Sequence, residues 1–276
     1  MKKIFLFLFL FLINSILFSQ KYLDYYRKGH NELILHNYNK AINFYNDAID
    51  IKLDYLEAYY ERAYCKYMIN DYKGAIRDYD MVVTFKPDTI EAYFERGICQ
   101  KKLKNYDKAV DDMTLVINLC EKYSKRIIGL FSAYKYRGSF YEDNNELEKA
   151  LSDFNKCVQY FDYFYDSYWY RGRVYHKLGN YELAIKDYCK AIEKENKRST
   201  LYYCRGTAYY QIKEYEFAIY DLNIAIELND KDADYYYNRG LVNIALKRYT
   251  RACDDFKNAY NLGKNDVLYL IDEYCK

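Results

Sequence analysis

The sequence predicts an all-α solenoid in which pairs of helices stack on one another along the chain. The first observation is a motif of Tyr, two variable residues, Arg and Gly, which recurs at a nearly constant interval. The second is an alanine that follows every copy at a fixed distance. The third is composition, because one Pro and ten Gly in 276 residues leave little material for the tight turns of β-structure. Such repetition favours stacked two-helix units over one globular core.

The small residue that ends the motif occurs seven times, at intervals of 34 residues with one interval of 41. The seven are Gly29, Ala63, Gly97, Gly138, Gly172, Gly206 and Gly240. The alanines that follow twelve residues later are Ala41, Ala75, Ala109, Ala150, Ala184, Ala218 and Ala252. Seven copies in register indicate one repeated structural unit.

Each copy contains two amphipathic segments. In the first, a tyrosine lies four residues before the small residue, on the same face of a helix. In the second, the alanine is followed four residues later by a large apolar side chain. Small residues at facing positions let two helices approach more closely than the usual distance of about 8–10 Å between axes.

The period of 34 residues, the alternation of aromatic and small residues, and Pro87 at the close of a repeat resemble the tetratricopeptide repeat family. The resemblance covers about residues 22–266 and implies a right-handed α-solenoid of seven tandem repeats. The expected repeats are 22–55, 56–89, 90–123, 131–164, 165–198, 199–232 and 233–266. We expect a C-terminal capping helix over 267–276. The interval of 41 indicates a seven-residue insertion around Glu121–Gly129, which should lengthen the second helix of repeat three.

The N-terminal residues have a different character. Two lysines precede an apolar run from Ile4 to Phe18. This pattern predicts a signal peptide over residues 1–19, with cleavage near Ser19–Gln20. An uncleaved signal anchor is the alternative, since Leu17 is not the small residue preferred before the cleavage site. The expected location is therefore export across the inner membrane, to the periplasm or beyond, with membrane attachment if the segment is retained.

Charge argues against nucleic acid as a partner. Without the two lysines of the N-terminal segment, the chain carries 40 basic and 40 acidic residues. Nucleic-acid binding requires a basic face, which a neutral chain with interspersed charges does not suggest. We expect protein or peptide partners and no small-molecule substrate.

Eight cysteines leave two interpretations open. They are Cys65, Cys99, Cys120, Cys157, Cys189, Cys204, Cys253 and Cys275. No two form a CxxC pair, and most occupy helix positions that bury small apolar side chains, which favours free thiols in the core. Disulfides are the alternative for an exported protein, and a metal site is not expected.

The resemblance implies a concave face lined by the first helices, where family members generally bind peptides or partner helices. The lysines and asparagines of the family's carboxylate-binding variant are absent. Aromatic residues stand in their place, and the candidate partner-binding residues among them are Tyr60, Tyr64, Tyr67, Phe94, Trp169, Tyr203 and Tyr237. Trp169 is the strongest candidate because it is the single Trp of the chain. These rings either form a stacking surface for a partner or contribute to packing between repeats.

Acidic residues accompany the aromatic residues in repeats two and three. They are Glu57, Glu61, Glu91 and Glu95, which form two pairs at i, i+4 spacing. Carboxylates at that spacing repel each other unless a cation intervenes. The hypothesis is that this half of the face prefers a partner segment with basic residues.

No constellation for catalysis is evident. The three histidines lack partners at the spacing of metal ligands or a catalytic triad, and there is no Gly-rich phosphate loop. Acidic doublets such as Asp111–Asp112 and Asp254–Asp255 should have one member facing a neighbouring helix and one facing solvent. We therefore predict no enzyme activity and no cofactor. The predicted function is a scaffold or adaptor that binds proteins, and a membrane-tethered scaffold of an envelope complex is the alternative.

One pattern predicts a repeated ion pair. The arginine before the small residue is followed sixteen residues later by an aspartate on the second helix. We expect a bond across each helix pair, because a planar guanidinium suits a partly buried carboxylate. The first repeat, with Lys28 and Phe44 at these positions, should lack the pair.

Overall fold

The computed structural model describes residues 20–123 and 127–275. The predicted signal segment, residues 1–19, lies outside the described residues, and so do residues 124–126 of the predicted insertion. All regular secondary structure in the described ranges is helical, which confirms the predicted fold class.

The helices alternate between a first and a second member of each pair. The first helices are α1 (20–34), α3 (Leu56–Met68), α5 (Ile90–Lys102), α7 (Ile127–Asp143), α9 (Tyr165–Lys177), α11 (Ser199–Gln211) and α13 (Ala233–Ala245). The second helices are α2 (Tyr38–Ile51), α4 (Tyr72–Phe85), α6 (Tyr106–Tyr123), α8 (Leu147–Tyr160), α10 (Tyr181–Lys194), α12 (Tyr215–Leu228) and α14 (Tyr249–Asn261). A 3₁₀ turn, Asn265–Val267, leads into the predicted capping helix, α15 (Leu268–Tyr274).

The chain forms two compact units, one ending at Ala133 and the other beginning at Tyr134. Within each unit a helix packs mainly against its neighbours along the chain, from α2 to α6 in the first unit and from α8 to α15 in the second. Each unit is therefore a stack of helix pairs, in which apolar faces are buried between consecutive helices.

The turn inside each pair has the same backbone geometry throughout the described residues. The seventh residue after the small residue has a positive φ in each pair: His36, Asn70, Lys104, Asn145, Gly179, Lys213 and Lys247. The next backbone N–H then bonds a carbonyl of the last helical turn, as in the 2.9 Å bond from Asn180 N to Tyr175 O. A left-handed residue followed by such a bond ends the first helix. Only one of the seven is glycine, so helix packing compensates the cost of a Cβ in this conformation.

The small residue of each first helix lies against a large side chain of the second. A Cβ on Gly240 would lie 2.5 Å from Cε1 of Phe256, and one on Gly172 would lie 2.8 Å from Cε1 of Tyr188. Both rings are almost completely buried. This close approach explains why the position holds Gly in most repeats, and Ala63 in the second.

The predicted ion pairs are present in six repeats. Nε and Nη2 of each arginine donate to the carboxylate of the aspartate, and in Arg171–Asp187 both distances are 2.7 Å. The pairs are Arg62–Asp78, Arg96–Asp112, Arg137–Asp153, Arg171–Asp187, Arg205–Asp221 and Arg239–Asp255. Only 1–5% of each aspartate side chain is exposed, so two parallel charged bonds offset the cost of burying the carboxylate. In the first repeat Lys28 instead pairs with Asp24 of its own helix, at 2.8 Å.

The remaining guanidinium nitrogen makes a contact that the sequence pattern did not indicate. In five repeats Nη1 reaches the second helix of the preceding pair, sixteen residues earlier. The acceptors are Oδ1 of Asn46, Asp80, Asn155 and Asn223, at 2.6–3.1 Å, and Sγ of Cys189, at 3.2 Å. One guanidinium group thus joins three helices of two successive pairs.

The insertion lengthens the helices on both sides of it. Helix α6 has 18 residues and α7 has 17, whereas α2 to α5 and α8 to α14 have 13 or 14 each. The prediction of a longer second helix in repeat three is therefore confirmed.

Both interpretations of the cysteines apply, because some are free thiols and two form a disulfide. Cys65, Cys99 and Cys157 are buried free thiols, and burial raises the pKa of each to about 12, which makes them unreactive. For Cys253 and Cys275 the free-thiol interpretation is wrong, because they form a disulfide. Their separation of 22 residues is unrelated to the repeat period, so the pattern gave no sign of it. The bond ties the end of α15 to α14.

We expect Arg171→Ala to lower the free energy of unfolding by about 3–5 kcal/mol, because it leaves the buried carboxylate of Asp187 without its partner. Thermal or chemical denaturation measures the change. Lys190→Ala is the matched control on the neighbouring helix. It removes an exposed ion pair with Glu193 and should leave stability almost unchanged. Equal stability of Arg171→Ala and the wild type would show that the buried pair is not needed for folding.

Candidate functional site

The predicted aromatic residues lie on the first helices, on a surface that we call the first-helix face. Their exposure is intermediate except for Tyr64, which is 37% exposed. Rings of the second helices lie beneath several of them. Tyr60 contacts Tyr79 edge-on at 5.5 Å between centroids, and Tyr237 lies 6.3 Å from Phe256. For Tyr60 and Tyr237 the two interpretations are therefore compatible, since each ring packs against a second helix and is still partly exposed.

In the first unit the structure brings part of the predicted site together around one cavity. Its volume is about 170 Å³. The lining residues are Tyr26, Leu56, Glu57, Tyr60, Glu61, Val82, Lys86 and Thr89. Three of these are predicted site residues. Of the other five, Leu56 begins α3, and the remaining four come from α1, α4 and the following turn. The repeat register alone did not place these residues there. The cavity combines apolar walls with two carboxylates and one amine.

Two of the four predicted acidic residues are partly buried. Burial raises the pKa of the carboxyl groups of Glu61 and Glu95 above their usual value of 4.5, and for Glu61 the nearby His30 partly opposes this shift. Neither carboxylate has a hydrogen-bond or ion-pair partner within the described part of the chain. Glu57 and Glu91 are more exposed. The face therefore holds two carboxylates whose ionised form is disfavoured by the surrounding protein.

Two tyrosine hydroxyls lie beneath the same region. Tyr45 and Tyr79 are fully buried, and within the described residues their hydroxyl groups have no hydrogen-bond partner. Burial raises the pKa of both phenols, and the negative charges of Glu61 and Glu95, respectively, raise it further. Each hydroxyl thus lies within electrostatic reach of one partly buried carboxylate.

In the second unit the first-helix face contains a cation. The guanidinium of Arg173 lies 5.1 Å from the ring centroid of Trp169 and 5.4 Å from that of Tyr170. It also donates to the buried Glu142 at 2.8 Å, and Nζ of Lys177 lies 2.8 Å from the other oxygen of that carboxylate. The repeat pattern did not predict this ion cluster, because it depends on distances between side chains of adjacent repeats.

The other two predicted aromatic residues of the second unit are also engaged. The hydroxyl of Tyr203 accepts a hydrogen bond from Nδ2 of Asn238 at 3.1 Å. Nζ of Lys264 lies 4.9 Å from the ring centroid of Tyr237. Within this unit the rings are therefore partly covered by polar and charged neighbours.

A second cavity, of about 270 Å³, lies among the helices of the last repeats. It surrounds the network of Arg239, Asn223 and Asp255 described above, and Arg251 and Asn258 lie at its edge. The cavity is polar, and it belongs to the contact that joins successive helix pairs.

The described residues contain no group of three or more His, Cys, Asp or Glu side chains that could hold a metal ion. The acidic doublets behave as predicted, because Asp112 and Asp255 are buried in ion pairs whereas Asp111 and Asp254 are exposed. Within residues 20–123 and 127–275, none of the helices has both the length and the apolar character needed to cross a membrane.

The fold and the repeated contacts define a class of helical-repeat proteins, and sequence comparison identifies the family. Models of the tetratricopeptide repeat match residues 172–213, residues 203–266, and residues 25–55 and 90–123. The chain belongs to the tetratricopeptide repeat family. No match is found among curated proteins.

Solved structures share the fold at low sequence identity. A tetratricopeptide repeat protein from Parabacteroides merdae is 18% identical, with a TM-score of 0.70, over 93% of this chain and 100% of that one. YrrB, described as a tetratricopeptide repeat protein with an unusual peptide-binding site, is 16% identical, with a TM-score of 0.55, over 71% and 97%. The Cut9–Hcn1 hetero-tetramer of the APC/C is 17% identical, with a TM-score of 0.64, over 87% of this chain and 46% of that one.

We expect Glu61→Gln and Glu95→Gln to raise the free energy of unfolding at neutral pH, because each removes a charge whose burial is unfavourable. A carboxyl group with a raised pKa in the folded state stabilises the fold below its unfolded pKa, and this contribution is lost as pH rises through the folded pKa. The advantage of the glutamine variants should therefore disappear as the pH is lowered below the usual glutamate value of 4.5.

Denaturant unfolding of each variant at neutral and acidic pH measures this effect. Glu57→Gln is the matched control, because it changes an exposed residue of the same helix and should alter stability little. Destabilisation by Glu61→Gln at neutral pH would show that its carboxylate has a stabilising partner.

Proposed function

We propose that this protein is a non-catalytic scaffold that binds segments of partner proteins along its first-helix face. The repeats of residues 22–266 serve this binding, and no part of them is assigned to chemistry. The proposed binding residues are those predicted from the sequence. They are Tyr60, Tyr64, Tyr67, Phe94, Trp169, Tyr203, Tyr237, Glu57, Glu61, Glu91 and Glu95.

The observation that carries the proposal is the cavity of the first unit. An open space of about 170 Å³ lies among α1, α3, α4 and the following turn, and the exposed Tyr64 lies one helical turn after Tyr60 of its wall. Its walls combine aromatic rings with a few polar groups, which is the usual make-up of a site that orients a ligand. Tyrosine suits such a surface, because its ring gives contact area while its hydroxyl stays in contact with water.

Two structural relatives are consistent with this role. YrrB is described with a peptide-binding site, and Cut9 is found in a hetero-tetramer with Hcn1. We infer protein or peptide partners for this chain from the family and the surface together.

We further propose that the protein acts outside the cytoplasm. Residues 1–19 have the pattern of a signal peptide. The Cys253–Cys275 disulfide supports the proposal independently, because disulfides persist mainly in oxidising compartments.

A photo-crosslinking amino acid at position 64 tests the binding face. We expect it to form crosslinks to a bound partner, because this position is exposed on a first helix, one helical turn after Tyr60 of the cavity wall. The matched control is position 85, where Phe85 is 61% exposed at the end of a second helix. Crosslinks of equal yield at both positions, or at position 85 alone, would place binding elsewhere. The crosslinked products are measured by mass spectrometry after protease digestion.

Mass spectrometry of the protein recovered from its native host tests export. Gln20 should be the first residue if the predicted segment is removed. A chain that retains residues 1–19 and fractionates with membranes would favour the alternative, a tethered scaffold that acts on an envelope complex.

A further inference from the structure

Two carboxylates on the first-helix face of the first unit have no ion-pair partner among the described residues. They are Glu61 and Glu95, which are partly buried on α3 and α5, and Glu57 and Glu91 lie one helical turn before them. The basic groups of this region include Arg27 and His30 of α1 and Lys86 after α4, and none of these three forms an ion pair with Glu61 or Glu95.

The second unit shows how a buried acid on this face is balanced within the chain. Glu142 has 1% of its side chain exposed, and two cations of the next first helix, Arg173 and Lys177, lie 2.8 Å from its oxygens. Glu61 and Glu95 are less deeply buried than Glu142 and have no such cations. Burying an unpaired carboxylate is costly. A cation supplied by a partner would offset that cost at Glu61 and Glu95.

The surroundings of Glu61 suit a long basic side chain. The cavity places the apolar surfaces of Tyr26, Leu56 and Val82 beside the carboxylates of Glu57 and Glu61. Lysine and arginine bury their methylene stem against apolar surface and keep the charged end at a polar site. The ring of Tyr60 adds an aromatic face, and such faces attract cations.

Two buried tyrosines lie beneath the rings of this region. The ring of Tyr45 passes directly beneath Gly29, where an added Cβ would lie 2.7 Å from Cε1. Its ring also lies 5.7 Å from that of Tyr26 at the cavity, as Tyr79 lies 5.5 Å from Tyr60. Both hydroxyls are fully buried and have no hydrogen-bond partner among the described residues, and the negative charge of Glu61 acts on Tyr45 as that of Glu95 acts on Tyr79. Polar groups of this kind are normally satisfied.

A bound metal ion does not fit this site, because no three metal-ligating side chains come together in the described residues. An organic cation needs no such coordination sphere. We propose that the first unit binds a partner segment through lysine or arginine side chains, one of which enters the cavity beside Glu61 while a second lies beside Glu95. This inference rests on the proposed function, and it adds the charge of the partner.

Selection from a displayed library of random peptides tests the proposal on the full chain without residues 1–19. Peptides selected by the wild type should be enriched in lysine or arginine. The Glu61→Gln/Glu95→Gln variant should lose this enrichment, and Glu61→Lys/Glu95→Lys should select acidic residues instead. Peptides without basic enrichment would overturn this inference and leave the scaffold proposal intact. Failure to select any peptide would contradict both.

Titration with one selected peptide, followed by fluorescence anisotropy, gives the magnitude. We expect the Kd to rise about tenfold or more in Glu61→Gln/Glu95→Gln, since each change removes a charged bond. Replacing the peptide's lysines by Nε-acetyl-lysine, which keeps the stem and removes the charge, should have a similar effect. Lys86→Ala should tighten binding by removing a competing cation, and added salt should weaken it.

Stability measurements separate binding from folding. The glutamine variant is expected to be at least as stable as the wild type, so a loss of affinity in it reports on recognition. Equal affinity of wild type and variant, or of lysine and acetyl-lysine peptides, would overturn the proposal.

Discussion

The bond network around one arginine in each repeat after the first is the constraint on which the stack of helix pairs depends. The carboxylate of Asp187 is buried, so Arg171 must lie within bonding distance of it. That requirement fixes the position of one helix of the pair along the axis of the other. The third nitrogen, bonded to Asn155, fixes the preceding pair in the same way. Removal of the guanidinium would therefore affect the packing inside a repeat and the contact between repeats together.

Because these repeated contacts lie inside the stack of helices, the side chains on the first-helix face can differ from one repeat to the next. The small residue, the buried alanine and the ion pair recur, whereas the position two residues before the small residue varies. It holds Arg27, Glu61 and Glu95 in one unit, and Tyr136, Tyr170, Cys204 and Asn238 in the other. One unit thus presents unbalanced carboxylates, and the other presents an arginine held between Trp169 and Glu142. The same fold can in this way offer surfaces of different charge to different segments of a partner.

The two partly buried carboxylates of this face lower the stability of the folded state at neutral pH. Burial raises the pKa of Glu61 and Glu95, so their charged forms reduce stability at neutral pH. Residues that lower stability at an accessible surface are typical of binding sites, where function and stability compete. This competition links the electrostatics of the face to the proposed recognition of basic segments.

Sequence periodicity determined the helices, their pairing and the bond between Arg171 and Asp187, because these depend on spacing inside one repeat. The predicted acids and aromatics on the first helices followed from the same register. Three features came only from the tertiary structure: the bond from Arg171 to the preceding repeat, the cluster of Glu142, Arg173 and Lys177, and the disulfide that joins Cys253 to Cys275. They depend on distances between side chains of stacked or terminal helices, and separation along the chain does not specify those distances.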